Sequence, residues 1–98
     1  MLDSKTRAKL RALASNVQPS VIIGKDGVSE NVVNQINMNL DAHELVKITV
    51  LESDLNYKEI LRDLAVRLNA EEVCVIGKKL VLYRFSSKKK VKHVLQAE

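Results

Sequence analysis

Apolar side chains recur along the chain with two different periods. From Ser4 to about Ser15, the positions Thr6, Leu10, Leu13, Ala14 and Val17 fall on one stripe at helical spacing, with no glycine or proline before Ser15. Ser4 is placed to cap this first helix. After a loop from Asn16 to Ser20 containing Pro19, the β-branched run Val21–Ile23 predicts a short strand buried on both faces. A second helix is predicted over about Ser29 to His43. Val28, Val32, Val33, Ile36 and Leu40 form its apolar stripe, while Asn31, Asn34, Gln35, Asn37 and Asn39 face away. Asparagine is a poor helix former, so packing must hold this helix more than propensity does.

The period changes to two at Leu45–Leu51, where Val46, Ile48 and Val50 point one way and Lys47 and Thr49 the other, predicting a half-buried strand. Ser53 or Asp54 is placed to cap a third helix over about Leu55 to Leu68, with Tyr57, Ile60, Leu61, Leu64 and Leu68 inward and Glu59, Arg62 and Asp63 outward. Two apolar runs, Glu72–Ile76 and Leu80–Phe85, are joined through Gly77-Lys78. A glycine opening a two-residue loop marks an antiparallel hairpin. Tyr83 and Phe85 share one side of the last strand by alternation and are both expected in the core. The order αβαβαββ predicts an α/β domain of the α+β type, a four-stranded mixed sheet covered by three helices. Residues 1–85 would form the domain and residues 86–98 a basic tail.

Composition narrows the class. Ninety-eight residues suffice for one domain with a core of its own. The single cysteine, Cys74, cannot form an internal disulfide and sits in an apolar run, so a buried thiol in a reducing compartment is expected. The charged start lacks a signal-peptide pattern and no apolar run is long enough to span a membrane, so a soluble, cytoplasmic protein is expected.

Charge is unevenly distributed. Residues 1–27 hold five basic and two acidic side chains (net +3), residues 28–76 four and nine (net −5), and residues 77–98 seven and one (net +6). No acid occurs between Ser4 and Lys25, so the first helix carries Lys5, Arg7, Lys9 and Arg11 without the mixed signs that a helix made for solubility would use for i,i+4 pairs. A polyanion explains this better than a solvated face. Folding could bring both basic ends to one surface, although on charge alone a solvated lysine-rich surface explains the pattern equally well.

The candidate chemistry lies in Gly24-Lys25-Asp26-Gly27, between the first strand and the second helix. Glycine lets a backbone approach a phosphate closely, and a helix start favours an anion. The same residues could also form only a tight turn. Asp26 puts a negative charge in the loop. No lysine-serine pair follows Gly27, which excludes a nucleotide-hydrolysing phosphate loop. His43 and His93 lack the spacing of a metal or nucleophile site, and Glu52 with Asp54 and Glu71 with Glu72 sit at element ends as solvated groups. No catalytic residue, metal or cofactor is expected. With only Tyr57, Tyr83 and Phe85 as aromatics, base stacking on the sheet is not expected either.

Several blocks in order carry a family resemblance. They are Leu10-Arg11-Ala12-Leu13-Ala14, Gln18-Pro19, Ile22-Ile23-Gly24-Lys25-Asp26-Gly27, Leu40, Ala42-His43-Glu44-Leu45-Val46-Lys47, Val75-Ile76-Gly77-Lys78 and Leu80-Val81-Leu82-Tyr83-Arg84. The chain resembles, from about Leu2 to Phe85, the YhbY-like family, the free-standing bacterial form of the CRM domain (chloroplast RNA splicing and ribosome maturation). The resemblance implies a fold similar to the C-terminal domain of translation initiation factor 3, with a GxxG loop like that of KH domains. It further implies an RNA-binding protein associated with large-subunit (50S) assembly. Carried over by position, RNA contacts would involve Gly24, Lys25, Asp26 and Gly27, supported by Lys5, Arg7, Lys9 and Arg11. Charge alone adds Lys78, Lys79, Arg84, Lys88, Lys89 and Lys90. The expected partner is RNA, ribosomal or in pre-50S particles, bound by a monomer without membrane or small-molecule substrate. A competing reading is a protein-interaction module docking on ribosomal or initiation proteins through the acidic segment Glu52 to Glu72. An RNA-acting enzyme is a third, disfavoured by the missing acid/base pair.

Overall fold

Each of the three helices begins where a short polar side chain accepts a backbone N–H one turn on. Asp3 Oδ1 accepts from Thr6 N (2.7 Å), Ser29 Oγ from Val32 N (3.2 Å) and Asn56 Oδ1 from Glu59 N (3.1 Å). The caps of the first and third helices therefore differ from the expected Ser4 and Asp54; the other expected candidate, Ser53, lies outside the described residues. In both cases the cap is the residue whose N+3 backbone group lies within reach: Ser4 is already helical, and Asp54 comes before the helix-entry turn. The structure, a computed structural model, describes residues 2–25, 27–52, 54–87 and 94–96.

Its elements are helix α1 (Ser4–Ala14), strand β1 (Val21–Ile23), helix α2 (Glu30–His43), strand β2 (Leu45–Val50), helix α3 (Tyr57–Leu68), strands β3 (Glu71–Ile76) and β4 (Lys79–Tyr83), and a 3-10 turn, Val94–Gln96. The four strands form one mixed sheet in the order β1-β2-β4-β3, with β1 parallel to β2 and the other two pairings antiparallel. The last of the four described strands thus lies inside the sheet. Gly77 opens the β3–β4 hairpin at φ 58°, the conformation expected of it. Between Glu72 and Cys74 the β3 register shifts by one residue.

The helices divide between the faces. On one face α2 and α3 close over Val21, Ile23, Val46, Ile48, Val50, Leu80 and Leu82, with Ile36, Leu40, Leu61 and Leu64 as the facing layer. On the other, α1 packs Leu10 and Ala14 onto Leu45, Val73, Val81 and Tyr83, and Val94 and Leu95 of the 3-10 turn pack against the same cluster. Each large aliphatic side chain buried this way contributes about 1.5–3 kcal/mol by leaving water. Because α1 lies over β2, β3 and β4, it leaves β1 bare on that side. Ile22, expected inside, is 58% exposed for this reason. Phe85, also expected in the core, is 57% exposed; β4 ends at Tyr83, and alternation carries no information past the strand end. Cys74 is half-buried, because β3 is an edge strand and α1 covers it incompletely. Among the described residues, no helix is long and apolar enough to cross a membrane.

Candidate functional site

The register places three loops at one end of the sheet. Leu51 N donates to Ile23 O (3.0 Å) and Val50 N to Lys78 O (2.8 Å), so Gly24 lies beside the exit of β2, and that exit lies beside the Gly77-Lys78 hairpin. Lys25 and Lys78 are exposed there and Lys79 is half-buried. Among the described residues none of the three makes a side-chain hydrogen bond or ion pair.

Within the loop, Gly27 N donates to Gly24 O (3.0 Å), closing a turn, and Gly27 adopts φ 74°, a left-handed conformation that glycine tolerates. Gly24 is different. Its φ is ordinary, and a Cβ built on it would meet no atom of the protein within 4 Å. Neither conformation nor packing therefore requires glycine at position 24. The helix start below the loop is already occupied, since Ser29 caps it and Glu30 in its first turn pairs with Arg67 (2.9 Å). Among the described residues, the N–H groups of Lys25 and Val28 have no partner, so the loop offers donors beside those of the first turn of α2. Asp26 lies outside the described residues.

The basic side chains of α1 sit on the opposite side of the sheet from α2 and α3. Lys5, Arg7 and Arg11 are exposed and Lys9 is half-buried. Arg7 Nε donates to Glu72 O (3.3 Å), and Arg7, Arg11, Val73 and Cys74 line a cavity of about 240 Å³ between α1 and edge strand β3. Burial pushes the Cys74 thiol above its ordinary value, partly offset by the positive charges of Arg11 and Lys47. Lys47 on β2 therefore shares this surface; alternation sets it opposite Val46 and Ile48 but does not say which side chains it joins.

Arg84 has a different setting from the other candidates. Its guanidinium donates to Leu68 O (2.7 Å), Asn37 O (3.2 Å) and Asp41 Oδ1 (3.0 Å), at the end of the sheet away from the glycine loop. Beside it, Glu44 is fully buried and sits at the C-terminus of α2 with φ 68°. Its carboxylate accepts from Ser86 N (2.7 Å) and Val94 N (3.0 Å), while its carbonyl accepts from Arg84 N (2.9 Å). Ser86 and Val94 are thereby tied to one side chain. Burial and the nearby Glu44 charge raise the Tyr83 phenol above its ordinary value. Lys88, Lys89 and Lys90 lie outside the described residues.

Comparison with known proteins gives a consistent picture. The family model of the CRS1 / YhbY (CRM) domain matches residues 2–84. A Haemophilus influenzae protein named "RNA-binding protein" is 36% identical over 91 residues, covering 92% of each chain. "Probable RNA-binding protein YqeI" of Bacillus subtilis is 36% identical over 94 residues, covering 92% of this chain and 95% of its own. Among solved structures, the Staphylococcus aureus protein SAV1595, described as a candidate RNA-binding protein, superimposes with a TM-score of 0.81 at 40% identity, covering 92% of this chain and 95% of that one.

Proposed function

Because the chain belongs to the CRS1 / YhbY (CRM) domain family, we propose that it binds RNA, gripping the sugar–phosphate backbone at Gly24–Gly27. Lys25 faces the phosphate, Lys78 and Lys79 lie at the same sheet end, and Lys5, Arg7, Lys9 and Arg11 extend the positive surface. Asp26, Lys88, Lys89 and Lys90 belong to the same proposal on sequence grounds. Arg84, bonded at the other end, enters it only as a positioning residue.

The observation that carries this reading is Gly24. A side chain there would obstruct nothing in the protein, so its absence serves something approaching from outside. A backbone-gripping loop needs that clearance, because main-chain N–H groups must come within about 3 Å of a phosphate oxygen. Gly24→Ala separates the two roles. Folding stability should hold or rise by about 0.4–1 kcal/mol, as for any glycine at a conformation alanine accepts. RNA affinity should fall. Equal affinity in the folded variant would remove the loop from the site.

The reading extends to a non-enzymatic assembly factor on precursors of the large ribosomal subunit in the cytoplasm, supported by the family resemblance. Co-sedimentation of the protein with precursor particles, and its absence from mature subunits, is the expected result. Even distribution across all ribosomal fractions would count against it.

A further inference from the structure

The face of the sheet under α1 is only half covered, and the uncovered part has an ordered composition. Directly opposed residues across the four strands form a row: Ile22 pairs with Thr49, Thr49 with Lys79, and Lys79 with Ile76. Each alternates with residues of the α2–α3 core, so the row points to the α1 side. Ile22 is 58% and Ile76 37% exposed, with half-buried Thr49 and Lys79 between them. The next row, Lys47, Val81 and Cys74, runs under the edge of α1, where Val81 is fully buried and Lys47 and Cys74 remain half-buried. Neither row contains an acidic side chain.

This strip joins two features that otherwise lie apart. Its β1 edge runs directly into Gly24 and Lys25. On its β3 side, Cys74 forms part of the cavity lined by Arg7 and Arg11. Three inter-strand steps of about 4.8 Å give a path of about 14 Å from one edge to the other. Isoleucines stand at the two ends of the outer row, Lys79 lies between them and Lys47 in the next row, and cations stand beyond both ends.

We propose that an unpaired stretch of RNA lies across this strip, running from the glycine loop to the Arg7–Arg11 cavity. Its bases rest on Ile22 and Ile76 and its phosphates face Lys79 and Lys47. This rests on the RNA-binding reading above and adds the path and the strandedness of the ligand. Charge complementarity selects a polyanion. The exposed isoleucines select one with accessible base faces, since a duplex would bring only phosphate and sugar to the strip. With no aromatic in either row, contact with the bases is aliphatic and tolerant of sequence.

The test combines mapping on the unaltered protein with one substitution. A short single-stranded RNA of mixed sequence containing 4-thiouridine is photocrosslinked to the protein, and the attached peptides are identified. Crosslinks in β1 and across the β3–β4 hairpin support the path; crosslinks confined to α2 and α3 overturn it. Ile22→Glu places a like charge among the phosphates and should weaken binding about tenfold or more. Met38→Glu, an equally exposed apolar site on α2, should leave binding unchanged. Lys47→Gln and Lys79→Gln should each reduce the salt slope by about 0.7, the value for a single strand. A duplex of the same sequence should bind more weakly, and equal binding by duplex would overturn the assignment to unpaired RNA. If Ile22→Glu binds normally while Gly24→Ala does not, the strip is wrong and the loop reading stands. If the unaltered protein retains no RNA, both fall.

Discussion

The two ends of the sheet are built on opposite plans. At one end, Lys25, Lys78 and Lys79 surround a glycine turn, and their charges have no protein partners among the described residues. At the other, Arg84, Asp41, Glu44 and Ser86 are bonded to one another or to the backbone, and Glu44 is sealed from water altogether. Burying a carboxylate costs several kcal/mol unless its oxygens are satisfied, and here two backbone N–H groups do so. Carrying cations unpaired costs little in water but contributes nothing to folding. One end therefore spends its polar groups on stability, while the other keeps them available.

Substitutions at the two ends should separate in what they damage. The largest effect is expected at Glu44. Glu44→Ala strands two backbone donors and should lower unfolding free energy by about 3 kcal/mol, seen as an earlier urea midpoint. Arg84→Met deletes three hydrogen bonds from a half-buried guanidinium and should cost about 2 kcal/mol in the same measurement. Lys25→Gln should change stability by less than about 0.5 kcal/mol. Its effect should instead appear in RNA binding, with the salt slope shallower by about 0.7 to 0.9. A stability loss at Lys25 comparable to that at Arg84 would erase the contrast.

The smallest effect is a pH dependence. Cys74 and Tyr83 are both raised above their ordinary values of 9.0 and 10.0, by burial first. In alkaline solution the folded chain then holds more protons than the unfolded one. Their contribution is complete below about pH 9 and is lost as pH rises through the raised values. Urea midpoints should be flat from these groups near neutrality and decline above that point. Cys74→Ser and Tyr83→Phe should each remove part of the decline.

What the sequence made legible follows the range of the interactions. The hairpin at Gly77, the alternation of β2 and the stripes of the helices are local, and each was readable from spacing. The caps were nearly so. Asn56 stands three residues before Glu59, and Asp3 three before Thr6, yet a neighbouring serine or aspartate gave an equally good pattern. Ile22 was not readable as exposed, because its exposure depends on where α1 comes to rest. Glu44 had no local signature: a glutamate with a left-handed backbone looks like any helix-end residue until Ser86 and Val94, 42 and 50 positions away, complete it. At the candidate site, the glycine loop and the basic first helix stood out in the sequence. Lys47 and the bare strip needed the register, because only strand pairing shows which side chains form a row.

The strand order has a consequence for how the protein is made. β4 occupies an inner position, between β2 and β3, yet it is the last of these four strands to be synthesised. Until it arrives, β1 and β2 form a two-stranded pair with an open edge, and β3 has no neighbour at all. A nascent chain ending before Lys79 would therefore show helices without a closed sheet. Folding of this sheet should complete in one late step, after β4 emerges, rather than element by element from the N-terminus.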